Sequence, residues 1–144
     1  SFNTIACEDL LIDAAVAVKW FVRAEVGRES ALALLAEIEK DPRNFAVPEL
    51  FFNEMLAALC RLVTQAETVK QQIRNLENIG FHRVGNGHEL LARAAEIAIQ
   101  TGLTGYDSVY AATAELLHGQ WITFDQKAHQ KLEKAGMKGL SSLP

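Results

Sequence analysis

Short strand-like runs alternate with amphipathic helical stripes along the whole chain, and that alternation limits the possible folds more than any other feature. Leu10-Leu11-Ile12 reads as a fully buried strand ending at Asp13, with a helix over residues 14–21 behind it. Ala31, Leu34, Leu35 and Ile38 mark a second helix, ended by Asp41-Pro42. Phe45-Ala46-Val47 is the next strand, and Pro48 suits the first turn of a helix through Leu50, Met55, Leu59 and Leu62. Val69, Ile73, Leu76 and Ile79 form another stripe, stopped by Gly80, before a strand from Phe81 to Val84. Leu91, Ala94, Ala95 and Ala98 predict a helix closed by Gly102. In GYDSVYAATAELLHGQWITFD, residues 105–125, Tyr110, Ala111, Ala114 and Leu117 predict a helix leading into a strand at Trp121–Thr123. A last helix carries Ala128, Leu132 and Ala135 before Gly136, and Gly139-Leu140 reads as a final edge strand. The expectation is an α/β fold, with a central, mostly parallel sheet flanked by helices.

The 144 residues carry no repeat and no linker, so residues 1–144 read as a single domain. A chain of this length buries roughly 68–70% of its unfolded surface and needs no staples. Residues 1–8 are read as a flexible start or a cloning remnant. The formal net charge is −4, which gives no broad attraction for nucleic acid or anionic membrane. A nucleic-acid partner would require a local basic surface or bound metal. Cys7 and Cys60 have no CxxC spacing and read as reduced thiols of a cytoplasmic protein. The longest apolar run, LLIDAAVAVKWFV, contains Asp13 and Lys19 and falls short of the ~20 residues of a membrane span. No basic stretch precedes it, so no signal peptide and no membrane association are expected.

Four acids sit where a globular chain has reason to avoid them. Asp13 ends an apolar strand, at the sheet edge where open α/β folds bind ligands; its ordinary explanation is a helix N-cap. Glu54 lies about 60° from Phe51 and about 40° from Ala58 around its helix, bordering the apolar stripe; an exposed glutamate is the ordinary alternative. Glu49 is the rival acid on that helix, explained by the helix dipole alone. Asp107 shares a stripe with Tyr110 and Ala111, although Thr104-x-x-Asp107 also resembles a capping box. Asp125 follows the Trp121–Thr123 strand and opens the last helix, again as a natural N-cap. Together, two acids ending strands and two at core-bordering helix positions suit a shared pocket. Clustered carboxylates repel and lose solvation. A divalent cation relieves both, and hard oxygen ligands suit magnesium or manganese. His82, His88, His118 and His129 show no zinc spacing.

In order, LLIDAAVAVKWF, PELFFNEMLAAL and GYDSVYAATAELLHGQWITFD resemble the PIN-domain ribonucleases, specifically the VapC-like toxins of toxin–antitoxin pairs. The likeness runs from Leu10 to Leu132. The family pattern places its acids on Asp13, Glu54, Asp107 and Asp125. The resemblance implies a Mg2+- or Mn2+-dependent endoribonuclease. Asp13 and Asp107 would be the main metal ligands, Glu54 and Asp125 direct or water-mediated ones, with Glu54 or Asp125 orienting the water. It further implies an RNA substrate, a small VapB-like antitoxin and a homodimer, with the helices after residues 26 and 48 as interface candidates. One departure stands out. The family often carries Ser or Thr just after the first Asp, where this chain has Ala14 and Ala15. An inactive PIN-like module that binds RNA or protein is therefore the alternative. A phospho-accepting receiver domain fits poorly, because Val84-Gly85 stands where the acceptor Asp would be. Lys19, Arg23, Lys127 and Lys131 are candidates for phosphate contacts, with solvated surface as their ordinary reading. Trp20, Tyr106 and Phe124 could stack on bases but are read as core or interface aromatics.

Overall fold

The computed structural model describes residues 9–23, 26–137 and 139–143; Cys7 and residues 1–8 lie outside them. Five parallel strands form one sheet: β1 (Leu10–Ile12), β2 (Phe45–Pro48), β3 (His82–Val84), β4 (Gln120–Ile122) and β5 (Ser141–Ser142). Their spatial order is β3-β2-β1-β4-β5. The strands are connected through α1 (Ala14–Val18), α2 (Arg28–Lys40), α3 (Leu50–Leu62), α4 (Ala66–Glu77), α5 (His88–Thr101), α6 (Gly105–Leu116) and α7 (Gln126–Lys134). Parallel pairing explains why β1 and β2 are buried at every residue: sheets covered by helices on both faces select unbroken apolar runs.

The strand order reverses beside β1. The chain moves from β1 outward to β2 and β3, returns past β1, and builds β4 and β5 on its other side. In open α/β sheets, ligands bind outside the carboxyl ends of the strands at such a reversal. Leu11 pairs with Trp121 and Ile12 with Ile122, so the residues just past β1 and β4 emerge side by side. Helix α6 lies against β1, β2 and β4. Seven consecutive buried residues, Ser108 to Ala114, fit that central position.

The local readings depart from the structure at several places. Pro48 ends β2, in register with Val84, and does not open α3, and Leu62 on the predicted α3 stripe is 50% exposed. The buried stripe of α5 is Leu90, Ala94 and Ile97. The predicted Leu91 and Ala95 face solvent, because the alternative phase buries the larger Ile97 in place of Ala98. The edge strand is Ser141–Ser142, not Gly139-Leu140; its backbone pairs with β4, which hydrophobicity does not report. Tyr106 is 65% exposed, against the core reading, while Trp20 and Phe124 pack partly buried against the core.

Gly119 is required by close approach. A Cβ there would run into the Asp9 carbonyl oxygen, which itself accepts the Gln120 amide at 3.1 Å. Gly119→Ala should therefore push β4 away from the start of β1 and lower stability by about 1–3 kcal/mol, the usual cost of overpacking. Urea denaturation of parent and variant measures it; equal midpoints would show that the backbone yields freely.

Candidate active site

Asp13 is placed by two donors. The Val16 amide reaches its Oδ1 at 2.9 Å, the N-cap bond of α1. The indole Nε1 of Trp121 donates to its Oδ2 at 2.8 Å. Trp121 is 1% exposed and stacks on Tyr110, with ring centroids 5.9 Å apart. Capping and site geometry thus coexist in one side chain: each oxygen carries one donor and keeps capacity for another contact. Trp121 is a contributor that sequence reasoning passed over. A tryptophan in an apolar strand reads as core, and only the pairing of β1 with β4 shows that its N–H reaches Asp13. It supplies a donor to an Asp whose following residues are Ala14 and Ala15.

Glu54 and Asp107 complete an interacting group. Asp13 is buried, and that burial, together with the Asp107 and Glu54 charges, pushes its carboxyl from the ordinary 3.8 to about 6, against the pull of Val16 and Trp121. Glu54 is half-buried on α3 and also raised, first by desolvation; the Tyr110 hydroxyl offsets this and Asp107 adds to it. Glu54 Oε1 and the Tyr110 hydroxyl are close enough to interact, yet neither buried atom has a hydrogen-bond partner. Asp107, in the first turn of α6, is raised by burial and by Asp125, and held down in part by Thr104 and Lys131. Thr104 caps α6 by accepting the Asp107 amide at 3.1 Å.

Asp125 is the outlying member. It is exposed, its Oδ1 caps α7 by accepting the Ala128 amide at 3.1 Å, and its interaction is with Asp107. The structure thus links Asp13 with Glu54 and Asp107, and Asp107 with Asp125. Among the described residues, no three His, Cys, Asp or Glu side chains already converge closely enough to hold a metal ion. The donor chemistry nonetheless suits a hard cation: oxygen donors throughout, mutual repulsion, and an unpartnered buried oxygen on Glu54.

The other candidates separate from this group. Glu49 is taken up by Arg83, whose Nε and Nη2 donate to its two oxygens at 3.1 and 2.9 Å. His82 meets Asp9, and His129 meets Ser141 and Glu133. Lys19 donates to the Val26 carbonyl and lies over the Phe124 ring. Lys131 donates to the Gly102 carbonyl. Arg23 and Lys127 are exposed. An open cavity of about 350 Å³ adjoins the acids; Ala14, Ala15, Glu54, Ala58, Arg61 and Tyr106 are among its lining residues. A larger opening, about 560 Å³, surrounds His118 to Gln120 at the other end of β4 from Asp125.

Residues 10–134 match the PIN domain family. The fold also resembles a toxin–antitoxin complex from Klebsiella pneumoniae, with 20% identity, TM-score 0.69, and coverage of 93% of this chain and 96% of that one. A protein of Pyrobaculum aerophilum is similar at 21% identity and TM-score 0.64, covering 97% of this chain and 92% of its own. No curated protein matches the chain.

The raised Asp13 predicts a defined pH response. The unfolded chain gives up this proton near pH 3.8 and the folded chain near 6, so the folded state binds more protons in that window. The contribution of Asp13 to stability is therefore full below pH 4 and is lost as pH rises through 6. Trp121→Phe keeps a large ring but removes the donor, raising Asp13 further. In EDTA its cost should be small at pH 4.5 and about 1–3 kcal/mol at pH 7.5, the range for a buried acceptor left unpaired. Denaturant titrations at the two pH values check this; a pH-independent difference would mean that the indole matters only as packing.

Proposed function

The chain belongs to the PIN-domain family, and from that membership we propose that it is a Mg2+- or Mn2+-dependent endoribonuclease, the toxin of a toxin–antitoxin pair. The observation that carries the reading is the crowding of acids at the carboxyl edge of the sheet. Asp13, Glu54 and Asp107 are all raised, each first by burial; Asp107 and Glu54 add to the shift of Asp13, Asp107 to that of Glu54, and Asp125 to that of Asp107, an arrangement that costs folding energy and that an oxygen-liganded cation would relieve. Strained titrations of this kind cluster at functional sites.

Asp13, Glu54 and Asp107 would hold the ion, with Asp125 contributing at the rim. A bound divalent ion would supply neutralisation of the phosphate and a more acidic water for in-line attack. The chain's own part begins with Asp13, whose orientation Val16 and Trp121 set before any ligand arrives. Glu54 is the better candidate of the two acids for orienting the attacking water: its Oε1 is unpartnered, whereas Asp125 spends an oxygen on the α7 cap. Asp107, at the amino end of α6, would retain its carboxylate form beside a cation despite burial. The burial of Ser108 to Ala114 behind it closes the site toward the core.

A catalytically silent PIN module that binds RNA or protein is the second reading, supported by Ala14 and Ala15 and by side chains that do not already converge. Cleavage of single-stranded RNA separates the two. The parent should cut with manganese or magnesium and not in EDTA, and Asp107→Asn should lose about 100-fold or more, since even residues behind metal ligands cost 10–100-fold. Equal cutting by parent and variant would identify a contaminant and leave the silent module.

An antitoxin partner and a homodimer belong to the same proposal. They are supported by exposed Leu32 on α2 and by Leu56 and Leu62 on α3, and by the toxin–antitoxin complex that the fold resembles. Co-expression with the small protein encoded beside this gene should yield a co-purifying pair with suppressed RNA cutting. Separate elution of the two chains at micromolar concentration would remove the toxin assignment while leaving the nuclease intact.

A further inference from the structure

We infer that the cavity beside Glu54 is a nucleotide subsite, in which Tyr106 stacks on one unpaired base and Arg61 contacts the adjoining phosphate. This rests on the ribonuclease reading and specifies how its substrate is held. The cavity is about 350 Å³, within the range of small-molecule sites. Glu54, proposed to serve the reaction, forms part of its wall, and Tyr106 immediately precedes Asp107 in α6. A base seated here would belong to the nucleotide next to the reacting phosphate.

Two side chains give the cavity its chemistry. Tyr106 is 65% exposed. Exposure alone decides little, because Val26 and Ile99 are each 89% exposed. Tyr106 differs in carrying a flat ring into a cavity shared with a reactive carboxylate, and sequence-tolerant stacking on aromatics is how single strands are held. Arg61 is exposed and makes no hydrogen bond or ion pair among the described residues. Arg83 and Arg93 are instead each committed to glutamates. In a separate groove of about 380 Å³, Arg93 is bonded to Glu115 at 2.7 and 2.9 Å. Arg61, unlike those two, is uncommitted and lines the same cavity as Glu54, so it can meet a phosphate beside acids that would repel it, and a guanidinium suits a phosphodiester by geometry as well as charge. Apart from Val18, the rest of the lining is Ala14, Ala15, Ala57 and Ala58, the smallest side chains that keep a Cβ. The alanines that remove hydroxyls from beside Asp13 therefore also leave room for a nucleotide.

Binding of a fluorescein-labelled single-stranded RNA, followed by anisotropy with manganese in the Asp107→Asn background, tests this. Tyr106→Ala should weaken binding about 5- to 150-fold, the range for loss of one stacked base, while Tyr106→Phe holds it. Arg61→Ala should weaken binding and make the slope of log affinity against log salt shallower by about 0.7, one phosphate contact on a single strand; Arg61→Lys should keep the slope. Both side chains are exposed, so the folded core is untouched. Binding unchanged in both alanine variants would overturn the subsite, and manganese-dependent cutting by the parent chain would then show that the nuclease reading survives. A Phe variant that falls as far as Ala would also overturn stacking. If the parent neither binds nor cuts RNA, both readings fall. If it binds with the expected Tyr106 dependence and never cuts, the nuclease reading falls and the subsite stands.

Discussion

Negative charge forced into a low-dielectric recess governs this molecule. Asp13 lies almost fully buried between two donors, and the Asp107 and Glu54 charges add to the cost of ionising it. A folded chain gains nothing in stability from such an arrangement, because each carboxylate loses hydration that its neighbours do not replace. The surrounding structure sustains it. Parallel strands deliver Asp13 at the sheet's point of reversal, α6 brings Asp107 across the same edge, and α3 brings Glu54. Folding energy from the apolar strands and helix faces offsets the electrostatic cost, which is one way a protein holds a site ready for a ligand of opposite charge.

Several charges outside the recess are paired. Glu49 and Glu77 share Arg83, and Glu115 holds Arg93 and is itself lowered by it. These exposed pairs add little to stability, but they show which groups are occupied. In the recess, by contrast, the acids are raised, Glu54 Oε1 has no hydrogen bond, and Arg61 beside it has no acidic partner among the described residues.

Much of this was legible in the sequence, for reasons that can be named. Each predicted strand corresponds to an observed one or lies within two residues of it, because buried parallel strands are short apolar runs with turn residues at their ends. The acids stood out for a related reason: Asp13 and Asp125 interrupt at strand ends, and Glu54 and Asp107 border helical stripes. What escaped was tertiary. The stripe predicted for α5 had the wrong phase, because leucines and alanines occupy both faces and only packing shows that Ile97 is the residue buried. The strand at Ser141–Ser142 has no apolar signal, since its backbone is held by β4. Trp121 looked like filler for the core, and its polar edge acquires meaning only when β4 lies beside β1. Nothing in the sequence set Arg61 apart, because periodicity says nothing about whether a cation has found a partner.

The indole that steadies Asp13 has a second consequence. Its emission depends on the field around the ring, and here the ring touches a carboxylate whose charge changes with pH and with anything that binds. The chain has two tryptophans, and the other, Trp20, donates to the Ala31 carbonyl, a group that does not ionise. The protein therefore carries its own optical gauge at the recess, with a built-in reference elsewhere, and occupancy of that recess can be followed by ultraviolet light without attaching a label.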